Sequence, residues 1–196
     1  MAKWRPRRKL VWVPIATVIA LVVLAVLLQV TGLVVSTVGG NGASNAPTIP
    51  ACNARYLSEG FTYHFRDPHR GEMVIIHARG QVGSPVTPDP DARDLNLTKR
   101  VIGVPGDTVV GRDGRVFVNG QKADDIATDP FPPVRLGPDE YYVLGDNRSE
   151  AQDSRAFGPV PRAAIFARVV VIYWPLGRFG TVGYDKTLIP PGAVAC

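Results

Sequence analysis

Ser44 and Lys99 are the side chains whose surroundings best suit covalent chemistry. Ser44 closes the run Gly39-Gly40-Asn41-Gly42-Ala43-Ser44, where the lack of bulky side chains lets another polypeptide backbone approach closely. A serine hydroxyl is a weak nucleophile until a base takes its proton. Lys99 lies in an apolar run whose strand alternation puts Leu95, Leu97, Lys99 and Val101 on one face. A lysine acts as a base near neutral pH only if its pKa falls from ~10.4 by about 3 units, equivalent to ~4 kcal/mol of desolvation. An apolar strand face provides such surroundings. Each residue taken alone also has an ordinary reading: a flexible linker for the serine, and for the lysine a surface side chain whose stem lies along the sheet.

A third segment, Gly145-Asp146-Asn147-Arg148 through Gln152-Asp153-Ser154-Arg155, concentrates acids, bases and amides directly after an apolar strand. It reads either as a solvated loop with ion pairs or as a buttress, with Asp153 and Arg155 paired beneath a site on the neighbouring strand. The three histidines fit no such design. His64 and His69 lie in an Arg- and Pro-containing stretch, and His77 ends a strand; their spacing suits neither a Ser/His/Asp arrangement nor a zinc finger.

Charge narrows the function classes. The chain has 22 Lys and Arg against 17 Asp and Glu, a net charge of +5. Lys3, Arg5, Arg7, Arg8 and Lys9 carry the whole excess, so the remainder is neutral. A nucleic-acid-binding domain needs basic charge spread over a folded face, and that class is set aside. No Asp, Glu, Lys or Arg occurs from Leu10 to Ala54, and residues 11–35 are almost wholly Val, Leu, Ile and Ala. This predicts a basic tail over 1–9, a membrane anchor over 10–38 and a domain over 39–196. The basic flank places the N-terminus in the cytoplasm and the domain outside the plasma membrane. A cleavable secretory leader is the competing reading, with Ala43-Ser44-Asn45-Ala46 as a loose cleavage site, but the apolar stretch exceeds the ~7–15 residues of a leader core.

The elements that must hold these residues read as β. Short runs rich in Val, Ile, Tyr and Phe predict strands over 74–77, 97–104, 108–110, 115–118, 141–144 and 165–174. Asp113-Gly114 signals a hairpin, and Asn119-Gly120 offers another turn. The fold expected is a mostly antiparallel β-sheet domain on a single N-terminal transmembrane helix. Residues 81–94 and 121–139 carry Pro, Asp and Gly without periodicity and read as surface loops or small insertions. The two cysteines are Cys52 and Cys196. A disulfide joining the C-terminal tail to the segment after the anchor and a pair of free thiols both remain open.

In combination these features resemble the bacterial type I signal peptidases, leader peptidases that use a Ser/Lys dyad. Four stretches match in order: Ser44-Asn45-Ala46-Pro47-Thr48; Arg70-Gly71-Glu72-Met73-Val74-Ile75; Lys99-Arg100-Val101-Ile102-Gly103-Val104-Pro105-Gly106-Asp107; and Gly145-Asp146-Asn147-Arg148 with Asp153-Ser154-Arg155 and Phe157-Gly158. The resemblance implies Ser44 as nucleophile, Lys99 as general base, and the Ser44 N–H as an oxyanion donor. It gives Asp146, Asn147, Arg148, Asp153 and Arg155 supporting roles. It further implies cleavage after small residues in an Ala-x-Ala pattern, with secretory preproteins as substrates and the membrane lipid as surroundings. No metal, organic cofactor or obligate protein partner follows from it. Gly42 stands where some members carry an additional serine, Ala151 where many carry a serine that hydrogen-bonds the lysine, and Asn45 replaces the usual Met. The departures at Asn45 and Ala151 lend some support to the alternative of a membrane-tethered, non-catalytic or specialised β-domain that binds exported peptides. The Ser/Lys self-cleaving repressors are excluded because a membrane anchor stands where they carry a DNA-binding domain.

Overall fold

The computed structural model describes residues 9–30, 35–38, 42–51, 53–77 and 96–182. Cys52, Cys196, Leu95 and the loop expected over 81–94 lie outside the described residues.

Helix α1 spans Lys9–Val30. Its side chains over residues 14–27 are all exposed, including Ile15, Val18, Leu21, Val22 and Leu24. Over those residues the helix shows no buried face. Among the described residues no helix is long and apolar enough to cross a membrane. Val35–Val38, inside the stretch expected to be anchor, is strand β1 and runs antiparallel to β2, Arg55–Glu59. Its Val-Ser-Thr-Val sequence is rich in β-branched residues, which favour a pleated strand.

The remaining strands are β3 (Met73–His77), β4 (Asn96–Gly103), β5 (Thr108–Arg112), β6 (Arg115–Val118), β7 (Gln121–Lys122), β8 (Phe131–Arg135), β9 (Glu140–Leu144), β10 (Val160–Pro161), β11 (Ile165–Trp174) and β12 (Gly180–Thr181), with a short helix α2 at Ser154–Phe157. The larger sheet has the order β1-β2-β11-β3-β4-β9-β10, with β12 on β11; the smaller has the order β7-β6-β5-β8. All pairs are antiparallel. Each of the six expected strands is present within a residue or two of its expected bounds.

Hydrophobic alternation explains the layering. Met73 and Ile75 of β3 join Tyr56, Ala167, Val169 and Ile172 on one side. Val74 and Ile76 join Val101, Tyr141, Val143 and Ile165 on the other, so β3 is covered on both faces. Ile102, Tyr142 and Leu144 pack against Val109, Val116 and Val118 of the smaller sheet. Asp113 and Gly114 both take positive φ, 52° and 70°, as the two-residue turn between β5 and β6 requires.

The reading of 121–139 as a surface loop needs correction, because β7 and β8 lie within it. Pro132 and Pro133 disguise β8, since proline removes a ladder donor. They are tolerated because β8 is an edge strand that pairs only with β5.

Candidate active site

Ser44 sits in a single 3-10 turn, Ala43–Asn45, that follows β1. Lys99 sits mid-strand in β4, opposite Val74 of β3 and on the face that carries Leu97 and Val101. Its Nζ donates to Ser44 Oγ at 3.0 Å, a separation equally suited to transfer of the hydroxyl proton to a neutral amine. Lys99 is only 3% exposed. Burial lowers its pKa below the ordinary 10.5; the carboxylates of Asp153 and Asp146 pull it partly back, and Arg155 adds to the lowering. Desolvation is the largest of these influences, so the amine gives up its proton more readily than a solvated lysine.

The loop after β9 lies directly against the nucleophile. The backbone N–H of Asn147 donates to Ser44 O at 3.1 Å. A Cβ on Gly145 would fall 2.4 Å from Ser44 O and 2.3 Å from Ala151 Cβ, so the approach requires glycine. Asp146, 3% exposed, accepts from Thr48 Oγ1 at 2.6 Å and from Arg100 Nε and Nη2 at 2.7 and 2.6 Å. It thereby ties the nucleophile turn to the strand carrying the lysine through two charge-assisted bonds.

Asp153 is fully buried. It accepts from the backbone N–H of Gly145 at 3.0 Å and from Arg155 Nε and Nη2 at 2.8 and 2.9 Å, and it caps α2 by accepting from Arg155 N. Arg155 Nη2 also donates to the carbonyls of Arg148 and Ala151. Arg148 donates to Gly145 O, Thr128 Oγ1 and Asp124 Oδ2 at 2.9, 2.7 and 2.5 Å. Arg148, Asp153 and Arg155 are thus joined to one another and to Gly145, whereas Asp146 and Asn147 bond to the turn that carries Ser44. Ser154 Oγ accepts from Val143 N and Ser149 Oγ donates to Asn147 Oδ1, so each hydroxyl already has its own partner. A Cβ at Gly42 would meet nothing within 4 Å.

The histidines stand apart from this arrangement. His64 is exposed, with Nδ1 near Phe61 O, and His77 stacks on Phe166 with Nδ1 2.9 Å from Asn96 Oδ1. Several ties to the site were not expected from sequence: Arg100 on Asp146, Thr128 and Asp124 on Arg148, and Arg178, whose Nη2 donates to Pro47 O at 2.8 Å. The last spans 131 positions, and no spacing rule points to it.

A half-exposed serine hydroxyl held by a buried, deprotonatable amine on an antiparallel β scaffold defines a class of hydrolase that needs no histidine. The comparisons name the family. The model of the signal peptidase family, peptidase S26, matches residues 11–174. A signal peptidase I from Leptolyngbya laminosa is 37% identical over 145 residues, covering 71% of this chain and 69% of the relative. A probable signal peptidase I-2 from Synechocystis is 37% identical over 148 residues, covering 73% and 65% respectively. A solved signal peptidase I from Enterococcus faecalis V583 shares 26% identity and covers 51% of this chain and 94% of its own, with a TM-score of 0.39. That superposition is too loose to bear on the fold, which stands on the strand pairing described above. The chain spans about two thirds of the length of the two curated relatives. It belongs to the signal peptidase family, peptidase S26, and is a serine endopeptidase.

Proposed function

We propose that Ser44 and Lys99 are the catalytic dyad of a membrane-anchored peptidase that removes N-terminal signal peptides from exported preproteins, cutting after small residues in an Ala-x-Ala pattern. The observation that carries this reading is the 3.0 Å contact of Ser44 Oγ with a lysine amine 3% exposed. Family membership supplies the substrate class.

Lys99 takes the Ser44 proton as Oγ adds to the scissile carbonyl, and the resulting ammonium gives that proton to the leaving amine as the tetrahedral intermediate collapses. The neutral amine then deprotonates water, which hydrolyses the acyl-enzyme and frees Ser44. The Ser44 N–H serves as an oxyanion donor, a role typically worth ~3–4 kcal/mol of barrier. Asp146, Asn147, Arg148, Asp153 and Arg155 hold the two groups in register without taking part in proton transfer.

In this reading the anchor is the apolar stretch that includes α1, whose 22 residues carry one charge, at Lys9. The basic residues before it favour a cytoplasmic N-terminus and an extracytoplasmic domain. Val35–Val38 then enters the sheet at once, which keeps Ser44 close to the bilayer where a signal peptide ends.

The test uses detergent-solubilised full-length chain and a precursor with an Ala-x-Ala site, comparing wild type with Ser44→Ala and Lys99→Ala. Product from wild type and a loss of at least about 10³-fold in both variants is expected. Equal product from all three sinks the dyad, and binding of the precursor without any cleavage by wild type favours the non-catalytic peptide binder.

A further inference from the structure

Asn45 combines two features that a buried side chain seldom shows together. Its Nδ2 donates to the backbone oxygen of Thr98 at 2.7 Å. Its Oδ1 is buried with no hydrogen-bond partner among the described residues, and the residue is only 6% exposed. An amide with one end unpaired is less favourable at a buried position than an apolar side chain of equal size. A contribution to folding therefore does not explain Asn45.

Position does. Asn45 follows Ser44, and its acceptor belongs to the residue before Lys99, so the bond crosses 53 positions to join the two segments one residue from each reacting group. Apart from the Ser44–Lys99 contact itself, the other described ties of the nucleophile turn are less direct. Thr48 reaches Arg100, the residue after Lys99, only through Asp146, Asn147 N on Ser44 O runs to the loop after β9, and Arg178 on Pro47 runs to the turn after β11. Thr98 is itself fixed, because its Oγ1 is 2.9 Å from the hydroxyl of Tyr56 on β2. The Asn45 amide thus grips an anchored point on the lysine strand.

We infer that Asn45 is a positioning residue: its Nδ2 bond to Thr98 O sets the separation of Ser44 Oγ from Lys99 Nζ, and with it the efficiency of proton transfer between them. This rests on the Ser44/Lys99 reading. Proton transfer depends steeply on heavy-atom separation, and a displacement of about 1 Å costs on the order of a hundredfold. Asn45 has one rotatable bond fewer than glutamine, so its grip is short and stiff.

The experiment compares full-length wild type with Asn45→Leu, which keeps the number and branching of the side-chain heavy atoms and removes both the donor and the orphaned acceptor, and with Asn45→Asp, which keeps the shape and loses the donor. Ser44→Ala and Lys99→Ala are run in the same precursor-cleavage assay. For Asn45→Leu the expected result is a Tm no lower than wild type and kcat down at least about tenfold. KM should stay within about twofold. The acid limb of kcat/KM should move to higher pH as the loosened amine becomes better solvated; Asp146, Asp153 and Arg155, the charged groups that act on Lys99, are unaltered. Asn45→Asp should lower kcat too and move the limb further up, since an added carboxylate favours the ammonium. If Asn45→Leu does not fold, Asn45→Asp decides. Folded variants with wild-type kcat and an unmoved acid limb overturn the inference, as does a fall in kcat that merely follows a fall in Tm. Full activity in Ser44→Ala and Lys99→Ala overturns the dyad itself, an outcome the assay separates from failure at Asn45 alone.

Discussion

Lys99 shares a strand face with Leu97 and Val101, and its ammonium there would lack the solvation it has in an unfolded chain. With the pKa lowered in the folded state, the unfolded chain binds more protons between that value and 10.5, so stability rises with pH through this window. The contribution is complete above 10.5, is lost as pH falls to the folded pKa, and is constant below it. Lys99→Met should therefore abolish cleavage yet raise stability at pH 6–7 by ~1–3 kcal/mol, the gain shrinking towards pH 10.5. Denaturant unfolding of both proteins across that range checks it, and a gain independent of pH would mean that the lysine is not desolvated. Activity follows the same titration: kcat/KM should increase with pH through a lowered amine pKa and then level off. Gly145 makes the opposite kind of demand. An alanine there cannot avoid the Ser44 carbonyl and Ala151 at 2.4 and 2.3 Å, so Gly145→Ala should cost ~1–3 kcal/mol in stability and about a hundredfold in kcat. Gly177→Ala, where a Cβ meets nothing within 4 Å, should change neither.

The supporting elements act by holding the nucleophile turn from several sides. Arg178, in the turn after β11, reaches the Pro47 carbonyl. Arg178→Ala should lower stability by ~1 kcal/mol and kcat several-fold, whereas Arg178→Lys should recover part of both; thermal unfolding and cleavage kinetics on the same preparations decide. Legibility differed among the elements for physical reasons. Strands β3, β4, β5, β6, β9 and β11 announce themselves through runs of Val and Ile, and the β5–β6 hairpin through Asp113-Gly114. Strand β2 is hidden because Tyr56 and Ser58 point inward while Leu57 is 40% exposed, which inverts the usual polarity of an alternating strand. Strand β8 is hidden by its two prolines. Within the site, Ser44, Lys99 and the acidic loop were legible as candidates, and the family motifs joined them. The ties made by Thr48, Thr98, Arg100 and Arg178 were not, because each is a contact far along the chain, and local pattern carries no record of such distances.

At the scale of the molecule, the net charge is a property of the tail rather than of the domain, and α1 exposes its apolar side chains over residues 14–27. Expressed in cells, the full-length protein should stay with the membrane fraction through alkaline carbonate washing. Leu21→Lys with Val22→Lys should release it, since a lysine near the bilayer centre disfavours insertion by about 3 kcal/mol each. Retention of the double variant would show that the helix is not what holds the protein there.

The bonds from Asn147, Asp146 and Arg178 to the turn around Ser44 also impose an order in time. During synthesis the serine leaves the ribosome first, and the groups that seat it emerge about a hundred residues later or more. A nascent chain therefore holds Ser44 in a turn that has not yet been seated. The full set of ties forms only when the last long strand and the turn after it have followed, so the complete site is among the last parts of the fold to be assembled.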